Sequence, residues 1–392
     1  MTQLETLIQT LCPNGVKFVK LDSIATISIG EFVHKNKQTP DGQYPVYNGG
    51  TSNTGFYTEY NQTANKIIIS ARGAAGFVNK IEVPYWAGNS CYSIDIIDKN
   101  TNWYFVYYYL KSIEKKIVGK QQKGCIPAVS KKQVQELQIP LPPLAVQSEI
   151  VRILDKFTLY KFELAAELAA RLQQYEYYRD QLLTFDDTVK RVKLGEVGEF
   201  IRGNGLQKKD FVDEGFPCIH YGQIHTYYGT FATKTKSFVA NPLYSKLKKA
   251  HTGDLIIATT SEDAEGVCKA VAWLGKEDVA VSGDAYIFRH LQNPKYMAYL
   301  FQTEQFLKYK KKAATGTKVV RVSGESMAKF EFAIPSLEVQ ERIVSILDRF
   351  DKLCHDIREG LPAEIDLRQK QYEHYRDKLL TFTDIIGYKN LL

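Results

Sequence analysis

Apolar positions along residues 150–182 recur in steps that alternate between three and four: Ile150, Leu154, Phe157, Leu164, Leu168, Tyr175, Tyr178 and Leu182, with one or two gaps. Such steps trace a narrow stripe along an α-helix, the seam of a coiled coil. Strong helix formers fill Glu163 to Ala170 within it. A second stripe runs through Ile343, Leu347, Phe350, Ile357, Ile365, Tyr372, Tyr375 and Leu379. Gly360 and Pro362 fall inside it and predict a kink or break. A proline-marked extended lead precedes each helix, Ile139 to Pro143 and Ile334-Pro335. Elsewhere the apolar runs are short and β-branched, as in Lys66 to Ser70 and Asp254 to Ala258, with further strands expected around Cys91 to Ile97 and Ala285 to Phe288. A short amphipathic start (Leu4, Leu7, Leu11) ends at Pro13-Asn14-Gly15.

The two helical segments are copies of each other. Val146 to Phe157 and Val339 to Phe350 both fit V-Q-x-x-I-V-x-I-L-D-x-F, while Tyr175 to Phe185 and Tyr372 to Phe382 both fit Y-E-x-Y-R-D-x-L-L-T-F. Two long matches in the same order mark a tandem duplication. The segments before the helices are related more faintly. Leu21 to Gly30 aligns with Leu194 to Gly203, Tyr44-Pro45 with Phe216-Pro217, and a closing turn at Gly124 with one at Gly316. Their short strands, bounded by Gly, Asn and Pro, predict mixed, loop-rich α+β units. The helices agree closely and the globular units do not. The helices therefore share one task, and the globular units have different ligands.

At 392 residues, 44% hydrophobic and 24% charged, the chain has room for two domains with cores of their own. The longest apolar run, Trp103 to Leu110, is too short to cross a bilayer and suits a buried core. Glu5 and neighbouring polar residues argue against a secretory signal, so a cytoplasmic location is the default. The six cysteines (Cys12, Cys91, Cys125, Cys218, Cys268, Cys354) include no C-x-x-C pair and are read as reduced thiols; no zinc site is expected. Net charge is +7, concentrated between Lys190 and Pro335 in runs such as Lys246 to Lys249 and Lys308 to Lys312. That excess leans towards a polyanionic partner.

With these features in place, the chain resembles the specificity subunit of type I restriction–modification enzymes over essentially its whole length. The carriers are the duplicated helices, the lead Ile139-Pro140-Leu141-Pro142-Pro143 followed by Gln147, its shortened form Ile334-Pro335 followed by Gln340, and the Ala-Glu-Leu run at 163–170. The resemblance implies an α+β architecture: two mixed α/β target-recognition domains separated by two long antiparallel coiled-coil helices, with a pseudo-twofold internal repeat. Its boundaries would be 1–144 for an N-terminal helix plus the first recognition domain, 145–187 for the first spacer helix, 188–336 for the second domain, and 337–392 for the second spacer helix and tail. The N-terminal helix would pack near the C-terminal one. Implied partners are double-stranded DNA, two methyltransferase (modification) subunits and two restriction and motor subunits. S-adenosylmethionine and ATP would bind those partners, leaving no cofactor here.

A helix from Glu149 to Leu183 is roughly 50 Å long at about 1.5 Å per residue, which limits half-site centres to about 15 bp apart. Unlike readers on a repeated frame predict an asymmetric, bipartite target. Reading residues should be polar or basic, on loops and near aromatics. The first domain offers Lys35, Lys37, Tyr47, Asn48, Asn53, Arg72 and Asn89, with Gln121, Gln122 and Lys123 as further contacts. Arg72 stands in Ser70-Ala71-Arg72-Gly73-Ala74-Ala75-Gly76, where small neighbours allow close approach to a groove. The second offers Lys208, Lys209, His220, Tyr221, Gln223, His225, Thr260, Ser261, Lys318 and Arg321.

Catalytic signatures are missing. Asn241-Pro242-Leu243-Tyr244 and Asn293-Pro294-Lys295-Tyr296 lack the second proline of an adenine-methyltransferase motif, and no phosphate-binding G-x-x-x-x-G-K-[ST] loop occurs. The chain is expected to be a non-catalytic recognition and scaffolding subunit. The rival reading is a structural coiled-coil adaptor carrying two protein-binding domains.

Overall fold

The computed structural model describes residues 3–119, 128–356 and 359–384. Two compact units emerge, one from residues 1–163 and 366–392, the other from 164–365. Each unit thus holds a globular part and portions of both helical segments.

In the first unit a four-stranded antiparallel sheet runs in the order Ala25–Ile29, Cys91–Ile96, Lys66–Ser70, Val78–Ile81. Lys66–Ser70 is central and buried along its length, so its near-continuous Ile run has no solvent face to alternate against. Helix Trp103–Ser112 adds Phe105, Val106 and Leu110 to the same core. A smaller sheet places Tyr44–Tyr47 between Phe56–Tyr57 and Trp86–Ala87, the latter pair parallel. The proline-marked lead forms strand Gln138–Leu141, antiparallel to Lys17–Lys20. Pro140 sits at the edge of this two-stranded ribbon, where a missing N–H is tolerated.

The long helix Leu144–Leu182 begins in this unit, where Val146, Ile150 and Leu154 enter the core. Against it runs the end of helix Leu361–Leu379: Phe157 stacks on Tyr375 at 5.4 Å, and Lys161 lies 5.1 Å from the Tyr372 ring. Contacts that rise along one helix descend along the other, so the two are antiparallel here. Helix Gln3–Leu11 packs where the sequence placed it, with Leu4, Cys12 and Val16 in one cluster with Leu380. The Val16 N–H donates to the Thr383 carbonyl at 2.9 Å. Gly15, at φ +98°, makes the approach possible, since a Cβ there would lie 2.3 Å from the Thr383 carbonyl oxygen.

The second unit repeats the plan. Its main sheet runs Gly198–Arg202, Ala285–His290, Leu255–Ala258, Ala270–Trp273, then a fifth strand, Phe231–Ala232. A second sheet again contains a parallel pair, Phe216–Ile219 with Val279–Val281. The strand that runs into the second lead, Glu331–Ala333, pairs with Arg191–Lys193, and the Ile334 N–H donates to the Lys190 carbonyl at 2.9 Å. The expected interruption is present: one helix spans Leu337–His355 and the next starts at Leu361. Ile357 of the predicted seam lies outside the described residues. Tyr178 stacks on Phe350 at 5.7 Å and Tyr175 meets His355 edge-on at 5.5 Å, again antiparallel.

The duplicated motif has a physical meaning. Gln147, 1% exposed, accepts from the Asn102 N–H at 2.8 Å and donates to the carbonyls of Pro142 and Asn100 at 2.7 and 3.1 Å. Gln340, 0% exposed, accepts from the Asn293 N–H and donates to the Pro335 carbonyl and to the Gln292 side-chain oxygen. Eight residues further on, Asp155 accepts from Tyr108 at 2.6 Å and Asp348 from Tyr299 at 2.8 Å. The V-Q and L-D positions therefore fasten each globular part to its helix, the glutamine through a buried amide and the aspartate through a partly buried tyrosine contact.

Candidate nucleic-acid interface

At one end of the first unit's main sheet, strands Ala25–Ile29 and Lys66–Ser70 run out while Val78–Ile81 and Cys91–Ile96 run in. The loops there are sewn to the loop after Tyr47. Gly88 N–H donates to Tyr47, Ala74 N–H to Gly49, and Ala71 N–H to Ser90, at 2.7–2.8 Å. Asn48 Oδ1 accepts from the Ser90 N–H at 3.1 Å, and the Ser70 hydroxyl donates to the Gly50 carbonyl at 3.0 Å. The chain after Gly30 joins this end through Glu31 N–H on Ala87 at 2.8 Å, and through Thr54 donating to Gln38 at 3.0 Å.

This rim gathers seven of the first domain's sequence candidates. Arg72 and Asn89 are exposed on adjoining loops, Asn48 and Asn53 are half-buried in the 48–55 loop, and Lys35 and Lys37 project from the turn Lys35–Lys37. Tyr47 is half-buried beneath them, 5.9 Å from Tyr85, and burial raises the pKa of its hydroxyl. Gln121, Gln122 and Lys123 lie outside the described residues.

The equivalent end of the second unit is built alike. Gly203 N–H donates to Ala285 and Ser282 N–H to Ile219, while the Ser282 hydroxyl accepts from the Tyr221 N–H at 2.8 Å. Gly30 and Gly203 hold matching places: a Cβ would fall 2.1 Å from the Ala87 carbonyl oxygen in one and 2.2 Å from the Ser282 carbonyl oxygen in the other. Only glycine lets these backbones approach so closely.

Here the candidates divide. Lys208, Lys209, Lys318 and Arg321 are exposed. Tyr221, Gln223, His225 and Ser261 are half-buried. His220 and Thr260 are buried, at 8% and 7% exposure. The His220 ring caps the short helix Tyr221–Thr226, accepting from Gly222 N–H at 3.2 Å. Burial, with Lys208 nearby, lowers its pKa and favours the neutral ring. Gln223 is engaged by the His220 N–H and by Ser237. His225 bonds the Thr260 carbonyl at 2.9 Å, and Thr260–Ser261 pairs with Val320–Arg321.

Sequence reasoning missed several basic residues on this rim. The Asn204 side chain donates to the Lys246 carbonyl at 3.1 Å and accepts from the Lys248 N–H at 2.6 Å, which brings both exposed lysines to the rim. Arg202 reaches the Gly283 carbonyl at 3.0 Å. The run Lys246 to Lys249 was visible as charge, but only the Asn204 contacts place it. Lys310 is buried, donating to the carbonyls of Glu265 and Val267 at 2.6 and 2.7 Å, so it braces the rim loop from inside.

Exposed lysines and arginines beside amide and hydroxyl groups suit a polyanion with readable edges. Among the described residues, no group of three or more His, Cys, Asp or Glu side chains is placed to hold a metal ion. No helix among them is long and apolar enough to cross a membrane.

Comparison with known proteins agrees with this geometry. Residues 13–174 and 186–367 each match the type I restriction modification DNA specificity domain. A type I restriction enzyme specificity subunit of Haemophilus influenzae is 30% identical over 402 aligned residues, covering 97% of this chain and 99% of the relative. The specificity subunit of the Escherichia coli enzyme EcoR124I/EcoR124II is 35% identical over 304, covering 73% and 72%. Among solved structures, the type I restriction–modification S subunit from M. genitalium is similar, with a TM-score of 0.53, 20% identity, and coverage of 93% of this chain and 95% of that one. A chain from a structure on complex assembly and conformational transition of the type I system superposes at a TM-score of 0.62, with 13% identity and coverage of 93% and 97%.

Proposed function

Because the chain belongs to the family of type I restriction–modification specificity subunits, we propose that its two rims are the surfaces that read the two halves of a split DNA site. The observation that carries this reading is the pair of rims itself. Both are built on the same strand order and the same close-packed glycine, yet they present different side chains: Arg72, Asn48 and Asn89 on one, lysines with Tyr221 and Arg321 on the other. A common scaffold with unlike tips specifies an asymmetric, bipartite target. The exposed lysines anchor phosphates, which positions the rims without choosing sequence.

On this reading the chain performs no chemistry of its own. Two methyltransferase subunits dock on its helices, carry S-adenosylmethionine, and extrude the target adenine from the duplex. Restriction subunits, where they join, carry ATP. The adaptor alternative has no comparable support, since the domain matched in both halves is a DNA specificity domain.

The test is to co-purify the chain with a methyltransferase subunit and map methyladenine on plasmid DNA molecule by molecule. Methylation confined to one asymmetric split motif is the expected result. Methylation that ignores this chain, or methylation by the chain alone, refutes the proposal.

A further inference from the structure

Residues 1–151 contain a single arginine, Arg72, and the fold places it at the meeting point of the first rim's loops. Its side chain is exposed and, among the described residues, has no ion pair or side-chain hydrogen bond. Its backbone, by contrast, is held on every side. Ala71 N–H donates to Ser90, Val129 N–H donates to Ala71, and Arg72 forms an antiparallel bridge with Ala128. A Cβ on Gly49 would lie 2.2 Å from the Arg72 carbonyl oxygen, so the 48–55 loop packs directly on this backbone. Gly73, at φ +74°, turns the chain away immediately afterwards, and a Cβ there would lie 2.7 Å from the Gly49 carbonyl oxygen.

The result is a guanidinium on a fixed pedestal, unpaired among the described residues, with Gly49 and Gly73 packed against its backbone. A phosphate can be met by a flexible point charge, and Lys35 and Lys37 on their exposed turn supply two. A planar fork carried on a fixed backbone suits a base edge. In the major groove guanine alone presents two acceptors, O6 and N7, at the spacing of two guanidinium N–H groups.

Resting on the reading of the rims as DNA-recognition surfaces, we propose that Arg72 is the guanine-reading residue of the first rim, donating two hydrogen bonds to O6 and N7 of one guanine. One half-site therefore contains a G·C pair whose identity depends on this side chain. Asn48 is a weaker base reader, because its carbonyl oxygen is already taken by Ser90 N–H.

The experiment uses the full chain co-purified with its methyltransferase subunit, acting on a plasmid library with randomised half-sites. The native complex first defines the motif, and Arg72→Ala and Arg72→Lys follow. Arg72→Ala should lower the preference for guanine at one position of one half-site by roughly 5- to 150-fold, with the other half-site unchanged. Arg72→Lys keeps the charge but not the fork, and should relax the same position. Circular dichroism of both variants should match the native chain, since the altered side chain is exposed. Three outcomes overturn the assignment: an unchanged motif, an equal loss of methylation on every sequence, or full guanine preference with lysine. A native complex with no defined motif would instead overturn the reading of the rims, and this proposal with it.

Discussion

Gln147 offers the sharpest test of how the repeated motif works. The Gln147→Leu substitution replaces the amide with an apolar side chain of similar size in a site that is 1% exposed, so little cavity forms. It removes three hydrogen bonds, to the Asn102 N–H and to the Asn100 and Pro142 carbonyls. At about 1 kcal/mol net per bond the loss is about 3 kcal/mol. Stranding buried backbone groups at about 1–3 kcal/mol each raises it to about 4 or more. That is a large share of a stability of about 5–15 kcal/mol. Urea unfolding followed by tryptophan fluorescence reads it directly, because Trp103 begins the helix that Asn102 caps. Gln173→Leu, at an exposed position of the same helix, is the control and should change little. A loss under about 1 kcal/mol for Gln147→Leu would show that the amide is not the fastening described here. Gln340→Leu should cost a similar amount, with the transition seen through Trp273 of the second unit.

Other expectations follow from the same geometry. Lys310→Met leaves the Glu265 and Val267 carbonyls without their donor, and should destabilise the second unit by about 2–3 kcal/mol while weakening duplex binding; unchanged urea and binding midpoints would contradict the bracing role. Burial lowers the His290 pKa to about 4. The unfolded chain therefore binds the proton more readily between about pH 6.5 and 4, and stability should fall as pH falls through that window, by up to about 3 kcal/mol. In His290→Asn, whose side-chain oxygen can replace the Nδ1 acceptor of Gln292 N–H, thermal melts from pH 7 to 5 should show a smaller drop. Removing Lys208 and Lys209 together should flatten the dependence of log affinity on log salt by about 2 without altering the methylated motif; a changed motif would make them base readers.

Periodicity carried much of this structure because the helices turn most of one stripe inward, with Tyr178 and Tyr375 left exposed, and the central strands bury both faces. The duplication pointed to two like units, and Gly360 with Pro362 marked the helix interruption at the right place. Loop composition also directed attention to the first rim, since Arg72 and Asn89 stand among small residues that only turns would use. What sequence could not show was contact between distant loops. Nothing local distinguishes His220, which the fold turns inward as a helix cap, from an exposed reader. Nothing local ties Lys246 and Lys248 to Asn204, more than forty residues away. Such placements depend on which strands pair, and in particular on the parallel pairing of Phe216–Ile219 with Val279–Val281.

The first unit is assembled from residues far apart in the chain: Tyr372, Leu379, Leu380 and Phe382 complete a core begun by Leu4, Cys12 and Val16. On a ribosome, the second unit has all of its residues once Ile365 is made, whereas the first must wait through residues 164–365 for its remaining helix. At roughly 5–20 residues per second, that wait lasts about 10–40 s. During it, the apolar faces of Val146, Ile150 and Leu154 lack part of their cover. Nascent chains of this protein therefore carry an unfinished first unit beside a second one that can already close, which makes the earlier half of the gene product the later half to mature.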